Sequence, residues 1–119
     1  MASLSLFGAL LVTAAFAAPP KDKGKKPPKK DDKAAVIAKG KKVYDANGCA
    51  NCHAIKGKGG STGPDLTKVA AEPKHDAKWL KEKVINPKAS DPDSTMPAYE
   101  DTIKGKDLDA LVAYLSSLK

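Results

Sequence analysis

Cys49-Ala50-Asn51-Cys52-His53 constrains this chain more than any other stretch. Cysteines three positions apart in a helical turn lie about one turn from each other. Each thiol can then form a thioether to one of the two vinyl groups of a porphyrin. The adjoining histidine is carried beneath the iron, where its imidazole supplies an axial ligand. A C-x-x-C-H run therefore specifies covalent haem c, its two attachment points, Cys49 and Cys52, and one metal ligand, His53. The chain has two cysteines and both lie in this run, so no disulfide framework competes for them.

The 119 residues suffice for one domain, and parts of the chain stand outside it. Leu4–Ala18 is apolar and ends in small residues around Ala15-Phe16-Ala17. That pattern predicts a secretory signal peptide over residues 1–18, cut after Ala17 or one residue later. The stretch is shorter than the roughly 18 apolar residues that read as a membrane span. No Lys or Arg precedes it, so an uncleaved membrane anchor and a buried N-terminal helix are the alternatives. Residues 19–33 (PPKDKGKKPPKKDDK) carry seven lysines against three aspartates and no apolar side chain besides proline. Such a segment cannot bury enough surface to order itself and reads as a disordered or extended tether. It is either a solvated spacer or a basic arm for an anionic membrane or an acidic partner.

The formal net charge of +7 belongs mostly to that tether. Residues 34–119 hold 14 lysines and 11 acidic residues, a net of +3. Two ionised haem propionates would bring this part to about +1. No basic surface with interleaved aromatics appears, which argues against nucleic-acid binding.

Within residues 34–119 the pattern predicts helices and no strand. Val36, Gly40, Val43 and Tyr44 recur at helical spacing over Ala34–Asn47, and Asn47-Gly48 ends the helix just before Cys49. Gly40 costs about 1 kcal/mol of helix propensity relative to Ala, which suggests the close approach of another backbone. Lys56–Pro64, with four glycines, reads as a loop. A short helix is expected over Asp76–Ile85, stopped by Asn86-Pro87. Ala89–Pro97 reads as irregular. Leu108, Leu111, Val112, Leu115 and Leu118 form an apolar stripe on a last helix over Asp107–Leu118.

The second axial position points to Met96, which is the one methionine left once Met1 departs with the leader. A Met/His pair completes six-coordination and raises the reduction potential. Pro97 restricts Met96 to extended geometry, which helps aim its side chain from a loop. The competing roles are a core methionine at 96 and His75 as the second ligand. A metal-bound imidazole needs its other ring N–H held by an acceptor. The rigid turn at Gly63-Pro64-Asp65-Leu66 offers the Pro64 carbonyl, unless it is only a turn.

Together, C-x-x-C-H, then G-P-D-L, then M-P, then an amphipathic last helix resemble the class I monohaem cytochromes c. The resemblance runs over about residues 36–119. It implies an all-α cytochrome c fold of three to four short helices around one covalently attached haem. By position, Cys49 and Cys52 resemble the thioether pair, His53 the proximal ligand, Pro64 the residue accepting from it, and Met96 the distal ligand. Gly40 and Tyr44 match the helix-crossing positions, with Leu111 and Tyr114 as partners, and Trp79 and Leu80 match the helix flanking the haem. The implied function is that of an exported, periplasmic electron carrier, monomeric and not an enzyme, meeting redox proteins transiently at the haem edge. The leader, if kept, would anchor it to the membrane. Lysines such as Lys56, Lys58, Lys68 or Lys88 are either charges that steer an acidic partner or solvated surface. Two other readings are a redox or gas sensor with a dissociable Met96, and a structural zinc domain built from Cys49, Cys52, His53 and His75.

The folded part has few large side chains: one Trp, three Tyr and, beyond the leader, no Phe. Small domains with thin cores need a staple. The cofactor-free chain is accordingly expected to be largely unfolded. Far-UV circular dichroism tests this, and native helix content without haem would refute it.

Overall fold

The computed structural model describes residues 29–119. The expected signal peptide and all but the end of the tether lie outside the described residues. Among the described residues there are four helices: α1 (Lys30–Ala46), α2 (Ala77–Ile85), α3 (Pro87–Ser90) and α4 (Gly105–Ser116). The all-α class expected from the sequence is observed. None of these helices is long and apolar enough to cross a membrane.

Helix α1 begins at Lys30, four residues ahead of the predicted start, so the last residues of the tether segment are helical rather than extended. The reason is local. Asp31 and Asp32 occupy the first turn, where negative charge complements the helix dipole. Asp32 also accepts the Lys29 backbone N–H at 3.2 Å, satisfying one of the unpaired donors of that end. At the other end Asn47 donates from both its backbone N–H and its side-chain amide to the Val43 carbonyl. Gly48 then takes a left-handed conformation (φ +70°), and the chain turns into the cysteine segment.

Helices α1 and α4 meet at Gly40, which is buried. A Cβ there would overlap the Ala110 carbonyl oxygen and lie 2.6 Å from Tyr114 Cβ. The close approach read from this glycine is therefore real, with Ala110 and Tyr114 as the opposing residues. One turn on, the Tyr44 and Tyr114 rings pack edge to face, with centroids 5.8 Å apart. Lys39 and Asp107 bridge the same helices at 2.8 Å, but both are about half exposed, so the pair adds little.

The core is built from Tyr44, Leu80, Val84, Ile103 and the full predicted stripe of Leu108, Leu111, Val112, Leu115 and Leu118. Helix α2 opens on Asp76, whose carboxylate caps the Trp79 N–H at 2.8 Å, and buries Leu80 and Val84. Asn86 ends it as expected, yet Pro87 at once starts α3, a single turn in a stretch read partly as irregular. Proline suits a first helical position because its missing N–H would have had no partner there. The sequence also gave no hint of a strand, but Ala54–Ile55 (β1) and Lys58–Gly59 (β2) form a two-residue antiparallel ribbon. Its turn puts both Lys56 (φ 52°) and Gly57 (φ 76°) in left-handed conformations, the tight hairpin geometry that glycine favours.

The Gly40 crossing is directly testable. Gly40→Ala is expected to cost about 1–3 kcal/mol, the usual range for forced overpacking. The guanidinium midpoint of the holoprotein reads it, and an unchanged midpoint would show that the helices can part without loss.

Candidate functional site

Cys49–Asn51 form one 3-10 turn at the end of α1. The Cys49 carbonyl accepts from the backbone N–H groups of both Cys52 (3.2 Å) and His53 (3.0 Å). The run thus closes a helical turn, the conformation its spacing implied. Both thiols are free; Cys49 is half-buried and Cys52 exposed. Burial pushes the Cys49 thiol above its ordinary range.

The glycine-rich segment after the run is strapped against it. Gly60 N–H donates to Ala50 O (2.8 Å), Gly63 N–H to Cys52 O (2.7 Å) and Leu66 N–H to Ala54 O (2.8 Å). Side chains are excluded at these approaches. A Cβ at Gly60 would overlap the Asn51 carbonyl, and one at Gly63 would lie 2.6 Å from His53 Cε1. The sequence reading took these glycines for loop formers; they are also packing surfaces. Their signal was clustering immediately after the motif, which composition alone cannot separate from flexibility.

His53 Nδ1 lies 2.8 Å from the Pro64 carbonyl. A carbonyl only accepts, so the hydrogen is on Nδ1 and the Nε2 lone pair is left for a metal. The Gly-Pro turn is held in place by its neighbour: Asp65 accepts the Thr67 N–H at 2.7 Å, and hydrogen bonding from the Thr67 hydroxyl, then from its N–H, keeps the Asp65 carboxyl below the usual range. Cys49, Cys52, His53 and Pro64 are therefore gathered in one place. Uncommitted thiols, an imidazole oriented with Nε2 free, and a glycine face against its ring fit a covalently attached haem. Half-buried Ala50, Ile55, Leu66, Trp79, Ile85 and Tyr99 pack, like Cys49, against the hydrophobic core.

Met96 stands on a separate loop. It is half-buried beside an open cavity of about 310 Å³ whose other walls include Asn86, Pro87, Lys88 and Pro97. Its N–H donates to Ser94 Oγ at 3.3 Å. Just beyond, the Tyr99 N–H donates to Val84 O of α2 (3.0 Å), which pins the end of the loop.

His75 is otherwise engaged. Its Nδ1 donates to Val69 O at 2.8 Å, and its ring stacks on Trp79 with centroids 3.8 Å apart. Among the described residues no group of three or more His, Cys, Asp or Glu side chains is placed to hold a metal ion. The zinc reading from Cys49, Cys52, His53 and His75 is thereby corrected: adjacent Cys52 and His53 are poorly suited to one tetrahedral ion, and His75 is committed to Trp79.

Two tyrosines touch the cysteine segment. Tyr44 Oη donates to His53 O at 3.2 Å, and Tyr99 Oη to Asn47 O at 3.4 Å. Sequence reading placed Tyr44 at the helix crossing and passed over Tyr99. Desolvation pushes the Tyr44 hydroxyl up to about 12. An unfolded tyrosine ionises near 10. The neutral form is favoured in the fold, so this stabilisation is fully present below pH 10 and lost as pH climbs through 12. Phenolate resonances followed by NMR are expected to show Tyr44 ionising about two units above a free tyrosine; ionisation near pH 10 would contradict its burial.

A family model described as cytochrome c matches residues 37–119. Cytochrome c oxidase subunit 2 of Alkalihalophilus pseudofirmus is 34% identical over 86 residues, covering 67% of this chain. The chain spans about a quarter (25%) of that relative's length.

Proposed function

The chain belongs to the cytochrome c family and carries covalent haem c for electron transfer; from that premise we propose that it is a one-electron carrier whose iron is held by His53 and Met96. When bound, the haem supplies a single Fe(III)/Fe(II) couple. Cys49 and Cys52 would hold it through thioethers, and the Pro64 carbonyl, by holding His53 Nδ1, would leave Nε2 to bind the metal. The observation that carries this reading is the 2.8 Å bond from His53 Nδ1 to Pro64. It orients the imidazole and increases its basicity toward a metal. Met96, from the opposite loop, would close the second axial position and favour Fe(II) through its soft sulfur.

With His53 and Met96 both holding the iron, a substrate would have no open site on it, and the chemistry left to the group would be outer-sphere electron exchange. The site residues comprise no general acid/base pair or nucleophile working with its base. The chain therefore acts as a carrier rather than an enzyme. Its partners are redox proteins that dock briefly through small interfaces. Similarity to an oxidase subunit supports partners of that respiratory kind. Residues 34–119 are the haem domain, monomeric and exported. Residues 1–18 are the leader, which anchors the protein if retained, and 19–33 are a tether whose end is taken up into α1.

Intact mass and a visible spectrum of the exported protein test export and attachment together. One haem per trimmed chain is expected; a colourless protein of bare polypeptide mass would overturn the proposal. Met96→Ala is expected to keep the haem, lose the sulfur–iron charge-transfer band and lower the reduction potential. The fall should be at least about 0.1 V of the roughly 0.8 V range that axial ligands span. An unaltered spectrum would remove Met96 from the ligand set. Carbon monoxide binding by the reduced parent protein would favour a sensor over a carrier.

A further inference from the structure

We propose that the hydroxyls of Tyr44 and Tyr99 form a two-point clamp on the Asn47–His53 segment and act as positioning residues for the two axial ligands. The inference rests on the reading of His53 and Met96 as those ligands. The two bonds fall at the two ends of the segment: Tyr99 Oη on the Asn47 carbonyl, where the chain leaves α1, and Tyr44 Oη on the His53 carbonyl, where it enters β1. They come from different parts of the chain. Tyr44 belongs to α1 at its crossing with α4, and its residue is only 4% exposed. Tyr99 lies three residues after Met96, and its backbone is fixed by bonds to Val84 O (3.0 Å) and from Ile103 N–H (2.8 Å). Among the described residues, the Tyr99 hydroxyl makes the one hydrogen bond between the Met96–Tyr99 stretch and the cysteine segment.

Neither hydroxyl is needed for packing. Phenylalanine would fill the same space, and a buried hydroxyl carries a desolvation cost that phenylalanine lacks. At 3.2 and 3.4 Å both bonds are long for O–H···O contacts, so each adds little to stability. Their effect is orientational. Tyr44 fixes the plane of the peptide after His53, while Pro64 and Gly63 fix its ring. Backbone and ring are then both constrained, and Nε2 has one direction left. Tyr99 sets where the end of the Met96 loop lies relative to that direction. The third tyrosine, Tyr114, packs on the Tyr44 ring but gives the segment no hydrogen bond. It is the internal control.

The test uses the full-chain holoprotein and its Tyr44→Phe, Tyr99→Phe, Tyr44→Phe/Tyr99→Phe and Tyr114→Phe variants. Two readouts report ligand position: the paramagnetically shifted haem-methyl resonances of the oxidised protein, and displacement of Met96 by added imidazole. Tyr44→Phe is expected to change the pattern of haem-methyl shifts with imidazole affinity held within about twofold. Tyr99→Phe is expected to raise imidazole affinity about tenfold. The double variant should show both changes, and Tyr114→Phe neither. The clamp is overturned if Tyr44→Phe and Tyr99→Phe match the parent in both readouts while only their guanidinium midpoints fall. It is equally overturned if Tyr114→Phe reproduces their effects, because ring packing would then be the cause. Should one single variant fail to take up haem, the other decides for its own end of the segment. Failure of the ligand assignment is recognised separately, by a parent protein with no sulfur–iron band.

Discussion

The absence of a side chain at Gly40 is the constraint from which the rest of the architecture follows. The backbone of α1 comes so close to the Ala110 carbonyl of α4 that even a methyl group would overlap it. This contact fixes the helices at short range and stacks Tyr44 against Tyr114 and the Leu111 layer. The three ion pairs among the described residues are all exposed and cannot hold this geometry. Shape and apolar burial hold it instead, and a core this small gains much from an apolar prosthetic group.

A second set of close approaches repeats the principle at the site. Gly60 and Gly63 place the following loop directly on the cysteine turn, and the same loop returns the Pro64 carbonyl to the ring of His53. The loop is thus the back wall of the site and the support for its imidazole. Each glycine is spent on proximity. Gly48 and Gly57 serve a different need, since both lie in left-handed turns.

This division explains what the sequence made legible. Cys49, Cys52 and His53 could be read because their chemistry depends on a spacing within one turn. Pro64 could be read because a rigid turn close to a histidine has few other ways to serve it. The α4 stripe was plain because five apolar residues keep helical register. The start of α1 was missed because lysine density hid two aspartates suited to a first turn. The β1–β2 ribbon was missed because its geometry comes from a tight turn and from contacts with the cysteine segment, and not from alternation along four residues. Tyr99 was missed for a related reason: its acceptor, Asn47 O, lies 52 positions away and belongs to a backbone group that no side-chain pattern reports.

The same long-range contact bears on how the loop-borne sulfur of Met96, in the proposed ligand set, would serve as a durable ligand. A methionine on an unanchored loop would exchange readily for an outside base, which suits a sensor more than a carrier. Here the loop is bounded by α3 on one side, with Pro87 buried, and by Tyr99 on the other, tied to α2 and reaching Asn47 at the end of α1. Pro97 removes one more degree of freedom beside Met96. With Met96 as the proposed ligand, anchoring at both ends would raise the cost of swinging its sulfur away without adding strength to the metal–sulfur bond itself. Electron transfer without exchange of ligands needs little rearrangement between oxidation states, and under the proposed ligation a loop held in this way would meet that need through its attachments.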